Sequence, residues 1–282
     1  MTEASGTRGI LAVARMEFQL AMVSRLSLLL GAFFIIIVAA GTNIALSGIQ
    51  RVPGVLNDRQ TQTVLMVTIT VTLAFLGPLV PILSSVLSIV EERSTRTIEM
   101  LLSRPVTRRG LVLGKILGRT AHVVVISWVG IAAGLLVVSD RVRPDLGQAA
   151  VLIGLAMLLA MVWVSLAMLL SSFVRRPINA LVSAFGLWFL MLVWGGLPFF
   201  DWIGMGGLKA LTNPNTLFLG AARKALFPAG TGDVANDVVQ TALGAFTSGL
   251  NIDYALPGLV VFLVLAAAAA TEAFHRQEEA AG

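Results

Sequence analysis

Six stretches of the chain contain no Asp, Glu, Lys or Arg: residues 26–49, 64–90, 120–138, 149–172, 178–198 and 255–271. Each is near the roughly 20 residues that an α-helix, rising about 1.5 Å per residue, needs to cross about 30 Å of hydrocarbon. Lipid offers no partner to a backbone N–H or C=O, so spans of this kind are helices or closed barrels, and the alternating ten-residue segments of a barrel are absent. The pattern predicts an all-α polytopic membrane protein with six transmembrane helices. Composition agrees: 57% of the 282 residues are hydrophobic and 12% charged, more apolar surface than one soluble core can hide.

Residues 8–25 look helical but fall short of a span. Arg8, Arg15 and Gln19 share one face at spacings of seven and four, as expected for a helix lying in the membrane interface, or for a simple extension of the first span. Glu17 falls on the opposite, apolar side. Charges at Glu3, Arg8, Arg15, Glu17 and Arg25 interrupt any short apolar leader, so the first span is expected to act as an uncleaved signal anchor.

The second span contains Gly77, Pro78 and Pro81, then Ser84, Ser85 and Ser88. Proline removes a helix hydrogen bond and clashes with the preceding turn, which places a kink near Pro81. Ser84 and Ser88, one turn apart, either line a polar path or bond back to their own backbone, and packing is the simpler reading. Gly110, Gly114 and Gly118, and again Gly130 and Gly134, form small-residue steps that let helices approach closely, within the chain or between two copies. Met157, Met161 and Met168 share a face of the fourth span and suit adaptable packing better than a copper(I) path, having no Cys or His beside them. His122 is read as a structural group in the third span.

Residues 199–254 form the long non-spanning segment. Asn213-Pro214-Asn215 marks a turn in which Asn can cap a helix through LFLGAARKALF; Pro228 ends it, and a second helical stretch covers about 233–246. Both pieces are expected to lie on or dip into the outer surface as short helices.

Charge then orients the chain. With the N-terminus inside, 13 of the 20 Lys and Arg fall in the inner segments, at 1–25, 91–119, 173–177 and 272–282. Basic loops stay on the cytoplasmic side, so both termini are expected there. The same cause accounts for the net charge of +5, and no nucleic-acid partner is expected. There are no cysteines and only two histidines, His122 and His275, which excludes disulfides, thiolate metal sites and an H-E-x-x-H motif; no metal site is expected. No P-loop and no G-x-S-x-G occurs, so the chain itself is not read as an enzyme. No span contains Asp or Glu, which disfavours proton- or ion-coupled transport.

The charge is densest at 91–115, with nine charged residues in 25 positions. There Ser94 or Thr95 can cap a short helix through TIEMLL, Pro105 forces its end at about Ser103 or Arg104, and Thr107 can start the next helix. The helix is apolar along Ile98, Leu101 and Leu102 with Arg96 and Glu99 beside it. Such an element can enter a groove of a cytoplasmic partner, or simply fix topology and meet anionic headgroups.

The run EERSTRTIEMLLSRPVTRRGLVLGKILG, residues 91–118, resembles the first cytoplasmic loop of ABC-2-type transporter permeases. The plan of an N-terminal interfacial helix (8–25), six spans, a coupling loop (91–119) and an outer segment (199–254) is similar to theirs over 1–282. NPNTLF additionally resembles the permeases of nitrous-oxide-reductase maturation systems. The resemblance implies a coupling helix in which Glu92, Arg93, Thr97, Glu99, Leu101, Leu102 and Pro105 match motif positions, with Arg108, Gly114 and Lys115 matching the start of the third span. Pro78, Pro81, Ser84 and Ser88 are the candidate kink or pathway residues. Arg96 stands where the family places Gly, which shifts the expected helix start a residue or two earlier. Also implied are two copies of a separate cytoplasmic P-loop ATPase carrying ATP and Mg, no cofactor in this chain, a second permease chain completing a homodimer or similar pair, and the plasma membrane of a prokaryote. The residues themselves leave open an ATP-independent carrier or channel, or a non-transporting assembly factor.

Overall fold

A computed structural model describes residues 3–50, 58–94, 107–139, 145–196, 206–227, 241, 243–244 and 246–281. Among them there is no strand. The helices are α1 (Glu3–Val23), α2 (Arg25–Gln50), α3 (Asp58–Phe75), α4 (Leu79–Ser94), α5 (Arg108–Val138), α6 (Leu146–Phe173), α7 (Pro177–Gly196), α8 (Gly206–Thr212), α9 (Pro214–Leu226) and α10 (Ala255–Ala281), the last preceded by a 3₁₀ turn, Ile252–Tyr254. Among the described residues six segments are long and apolar enough to cross a membrane: α2, the α3–α4 pair, α5, α6, α7 and α10. The helices outrun the charge-free stretches, α5 by twelve residues and α10 by ten, because a helix continues into the headgroup layer where charged side chains are tolerated.

The centre of the bundle is α4 and α6. Ile82, Val86, Ile89 and Val90 of α4 and Leu152, Val162, Trp163 and Val164 of α6 are fully enclosed. The outward faces of α2, α7 and α10 stay apolar and uncovered, with Phe33, Val182, Phe189 and Val264 all more than half exposed. Lipid tails are as apolar as these side chains, so such faces carry no penalty in a membrane. Met157 is exposed and Met168 buried, so one methionine-bearing face of α6 is open near its start and covered near its end.

The second span breaks between α3 and α4, at 76–78, one turn before Pro81 where the sequence pattern places the kink. Leu76 N–H donates to the Thr72 carbonyl at 2.9 Å, Gly77 N–H reaches that same oxygen at 3.3 Å, and Leu79 N–H turns to the Leu76 carbonyl at 3.1 Å. Pro78 has no N–H to give Ala74. Pro81 sits in the first turn of α4, where a missing N–H costs little because first-turn amides lack intrahelical partners. The break frees the Phe75 carbonyl, which accepts the indole N–H of Trp188 on α7 at 2.8 Å.

Of the two placements expected for the helix after Asn213, on the outer surface or dipping into it, α9 takes the second. Asn213 does cap α9, accepting from Asn215 N–H at 2.9 Å, and its own amide donates to the Met191 carbonyl of α7 at 2.7 Å. Yet every residue from Pro214 to Ala222 is buried, and Trp163 of α6 donates to the Asn215 side chain at 3.0 Å. The run LFLGAA has no polar face to show to water; Arg223 and Lys224 in the last turn supply the only charges. Gly220 lets α9 lie against Leu250 and Ala255, so the helix plugs the bundle between α6, α7 and α10. Most of the expected stretch at 233–246 lies outside the described residues.

Candidate functional site

Glycine spacing on α5 decides how α1 packs. A Cβ at Gly114 would lie 2.7 Å from that of Val13 and 2.9 Å from the Ile10 carbonyl oxygen; one at Gly118 would collide with the Ala14 carbonyl and lie 2.7 Å from Cβ of Glu17. The helices therefore touch backbone to backbone and run in the same direction, the buried edge of α1 being Val13, Glu17 and Ala21 at four-residue spacing. Gly130 and Gly134 repeat the device higher on α5 for Phe34 and Val38 of α2. The small-residue steps of α5 are thus occupied within the chain.

This close contact buries a charge cluster. Lys115 of α5, 1% exposed, uses its three donors on a carboxylate oxygen of Glu17, the Ser88 hydroxyl at 3.1 Å and Glu92 at 2.6 Å. Arg119, one turn on, donates from Nε to the other oxygen of Glu17 at 2.8 Å and from Nη1 to the Ser84 carbonyl at 3.1 Å. Ser84, Ser88 and Glu92 form one stripe of α4 at four-residue spacing, and Lys115 and Arg119 one stripe of α5. Among the described residues two carboxylates meet two cations, a balance of charge that is the condition for tolerating it away from water. Burial pushes the Glu17 carboxyl up, but Lys115 and Arg119 outweigh burial and hold it below the ordinary carboxylate value. A carboxylate whose folded value is depressed stabilises at neutral pH, and that contribution is lost as pH falls through the lowered value.

On the other side of α4, Arg93 donates to the Ser172 carbonyl at 2.8 Å, at the end of α6, and its guanidinium lies 5.7 Å over the Phe274 ring of α10. A cation at the carboxyl end of α6 complements the helix dipole there. Thr107 caps α5, accepting from Gly110 N–H at 3.0 Å. The segment between Ser94 and Thr107 is therefore held at both ends: α4 through Glu92 and Arg93, α5 through its cap and Lys115.

Of the residues marked in the sequence, Glu92, Lys115 and Ser88 come together here. Arg93 faces the α6–α10 side. Ser84 contributes its carbonyl, while its hydroxyl bonds back to the Pro81 carbonyl at 3.4 Å. Arg108 stands apart with Thr107, Arg109 and His275 around an open cup, where Arg109 and Arg276 share the exposed Glu272. Pro78 and Pro81 border a cavity of about 10 Å³ with Gly77, Ser127 and Trp163, room for about one water. Thr97, Glu99, Leu101, Leu102 and Pro105 lie outside the described residues. Sequence reasoning missed Glu17 and Arg119 as members; the signal available was an acid on the apolar side of an amphipathic helix.

Ser88 lies 3.1 Å from Lys115, but Lys115 is paired as a cation with Glu17 and Glu92 and has no lone pair to offer the hydroxyl as a base. The chemistry of the cluster is mechanical: it ties three helices at the base of a loop. Residues 11–279 match the family described as ABC-2 family transporter protein. A protein of Pseudomonas aeruginosa described as probable ABC transporter permease protein NosY is 32% identical over 126 residues, 42% of this chain and 45% of that protein, so the match spans under half of either. A family match over nearly the whole chain, on a bundle with six membrane-length apolar helices, establishes that the chain belongs to the ABC-2 transporter family as a multi-pass permease subunit.

Proposed function

We propose that the chain is the permease of an ATP-driven exporter, driven through residues 91–119 by a separate cytoplasmic ATPase. ATP and Mg would sit on two copies of that partner, and two permease chains would pair, most simply as a homodimer, in the plasma membrane of a prokaryote with both termini cytoplasmic. Family membership supports the ATPase partner. The observation that carries the coupling reading is the anchoring of the helices on either side: α4 is tied to α5 through Glu92 and Lys115 and to α6 through Arg93, so a force delivered between Ser94 and Thr107 would reach the bundle. Movement of the loop would pull α4, and the break at 76–78 would let α4 turn beneath α3. ATP can shift this equilibrium only by binding one state of the assembly better than the other.

The loop itself is tested by co-purification of the full permease with its ATPase. The paired change Glu99→Arg and Leu102→Asp reverses a charge and ruins an apolar anchor on the expected docking helix. Retention of the ATPase is expected to fall at least tenfold, since a buried anchor of this kind contributes about 2 kcal/mol or more. Unchanged retention and unchanged ATP-dependent activity would sink the docking reading.

A further inference from the structure

The face of α1 turned away from α5 is Arg8, Leu11, Ala12, Arg15, Gln19, Met22 and Val23, all exposed, with Leu11 and Val23 exposed by 64% and 73%. Arg8 and Arg15 make no ion pair or side-chain hydrogen bond among the described residues, and neither does Arg25 just beyond. The carboxylate of α1 among its described side chains, Glu17, is buried on the opposite edge and spent on Lys115 and Arg119. The outward face therefore carries two arginines, apolar side chains and the neutral Gln19, with no acid among its described side chains.

Depth follows from the pairing with α5. Ile10 and Val13 meet Gly114, and Ala14 and Glu17 meet Gly118, so Arg15 stands level with about residue 116. That is some four residues, about 6 Å along the helix, outside the charge-free stretch beginning at 120. Headgroups occupy roughly the first 5–8 Å beyond the hydrocarbon, so Arg15 falls among the phosphates. Met22 and Val23 reach the hydrocarbon edge, and Arg8 lies about one Debye length further out.

We propose that this face of α1 docks on anionic lipid headgroups, and that the lipid thereby presses α1 against α5 and holds Glu17 in the charge cluster. Each arginine near an anionic surface contributes a factor of about five in binding. The lipid is thus a part of the clamp at the base of 95–106, and loss of anionic lipid loosens it.

The chain contains no cysteine, so a nitroxide on Ala12→Cys reports α1 alone. The full-length protein is placed in nanodiscs of phosphatidylcholine, or of phosphatidylcholine with phosphatidylglycerol. Phosphatidylglycerol is expected to immobilise the label, and Arg8→Gln with Arg15→Gln to raise the phosphatidylglycerol fraction needed by on the order of tenfold. Arg175→Gln with Arg176→Gln, in the turn between α6 and α7, should leave the response intact. Soluble glycerol phosphate in phosphatidylcholine discs should have no effect, because the apolar half of the face needs a bilayer. The proposal is overturned if label mobility is equal in the two lipids, if the response survives loss of Arg8 and Arg15, if glycerol phosphate reproduces it, or if only the ATPase partner immobilises the label.

Discussion

Lys115→Met lowers the thermal midpoint of the purified permease sharply, by the equivalent of about 3 kcal/mol. The methionine fills the volume but takes the Lys115 cation from Glu92 and leaves Glu17 with Arg119, and breaking a buried pair by removing one partner typically costs about 3–5 kcal/mol. The lower end applies because Arg119 still reaches Glu17 at 2.8 Å and Glu92 is 16% exposed, enough to turn toward water. Adding Glu92→Gln should recover more than half of the loss, since the remaining Glu17–Arg119 pair is again neutral. This double variant separates structure from mechanism: it should be stable, yet α4 no longer grips α5, so ATP-dependent activity should stay low. A double variant as unstable as Lys115→Met would show that charge balance is not what the cluster supplies.

Gly118→Val is expected to have an effect of similar size by a different route. The new Cβ meets the Ala14 carbonyl, which is backbone and cannot rotate away, so α1 must leave α5. Overpacking alone costs about 1–3 kcal/mol, and the displacement also withdraws Glu17 from Lys115 and Arg119. Trypsin cutting after Arg15, followed with the thermal midpoint, checks both parts; cleavage should accelerate as α1 comes free. Gly154→Ala is the control, because nothing lies within 4 Å of its added Cβ and a helix interior gains about 0.5–1 kcal/mol from the change. Equal behaviour of the two substitutions would contradict the close-packing account of α1.

These two positions also show what can be read from the sequence. Spans are legible because absence of charge over 20 residues has one physical cause, and Thr107 and Asn213 are legible as caps because their role is local. The break is legible to within a turn, because Pro78 and Pro81 stand three residues apart and only Pro78 falls outside a first helical turn. The charge cluster was illegible: Glu17 meets partners 71 and 98 residues away, and no local pattern announces them. What showed was only a misfit, an acid on an apolar edge. For α9, the apolar run signalled burial, but the choice between surface and interior depends on the room left by α6, α7 and α10.

On the proposed function, ATP on a partner moves α4 through the 91–119 segment. This movement is tested most directly by spin labels at Glu91→Cys, at the end of α4, and Ile178→Cys, at the exposed start of α7, in the otherwise cysteine-free chain assembled with its ATPase. The predicted result is a distance distribution that shifts on trapping ATP and does not shift when Glu99→Arg and Leu102→Asp are present. Identical distributions with and without ATP would show that α4 does not move with the ATPase.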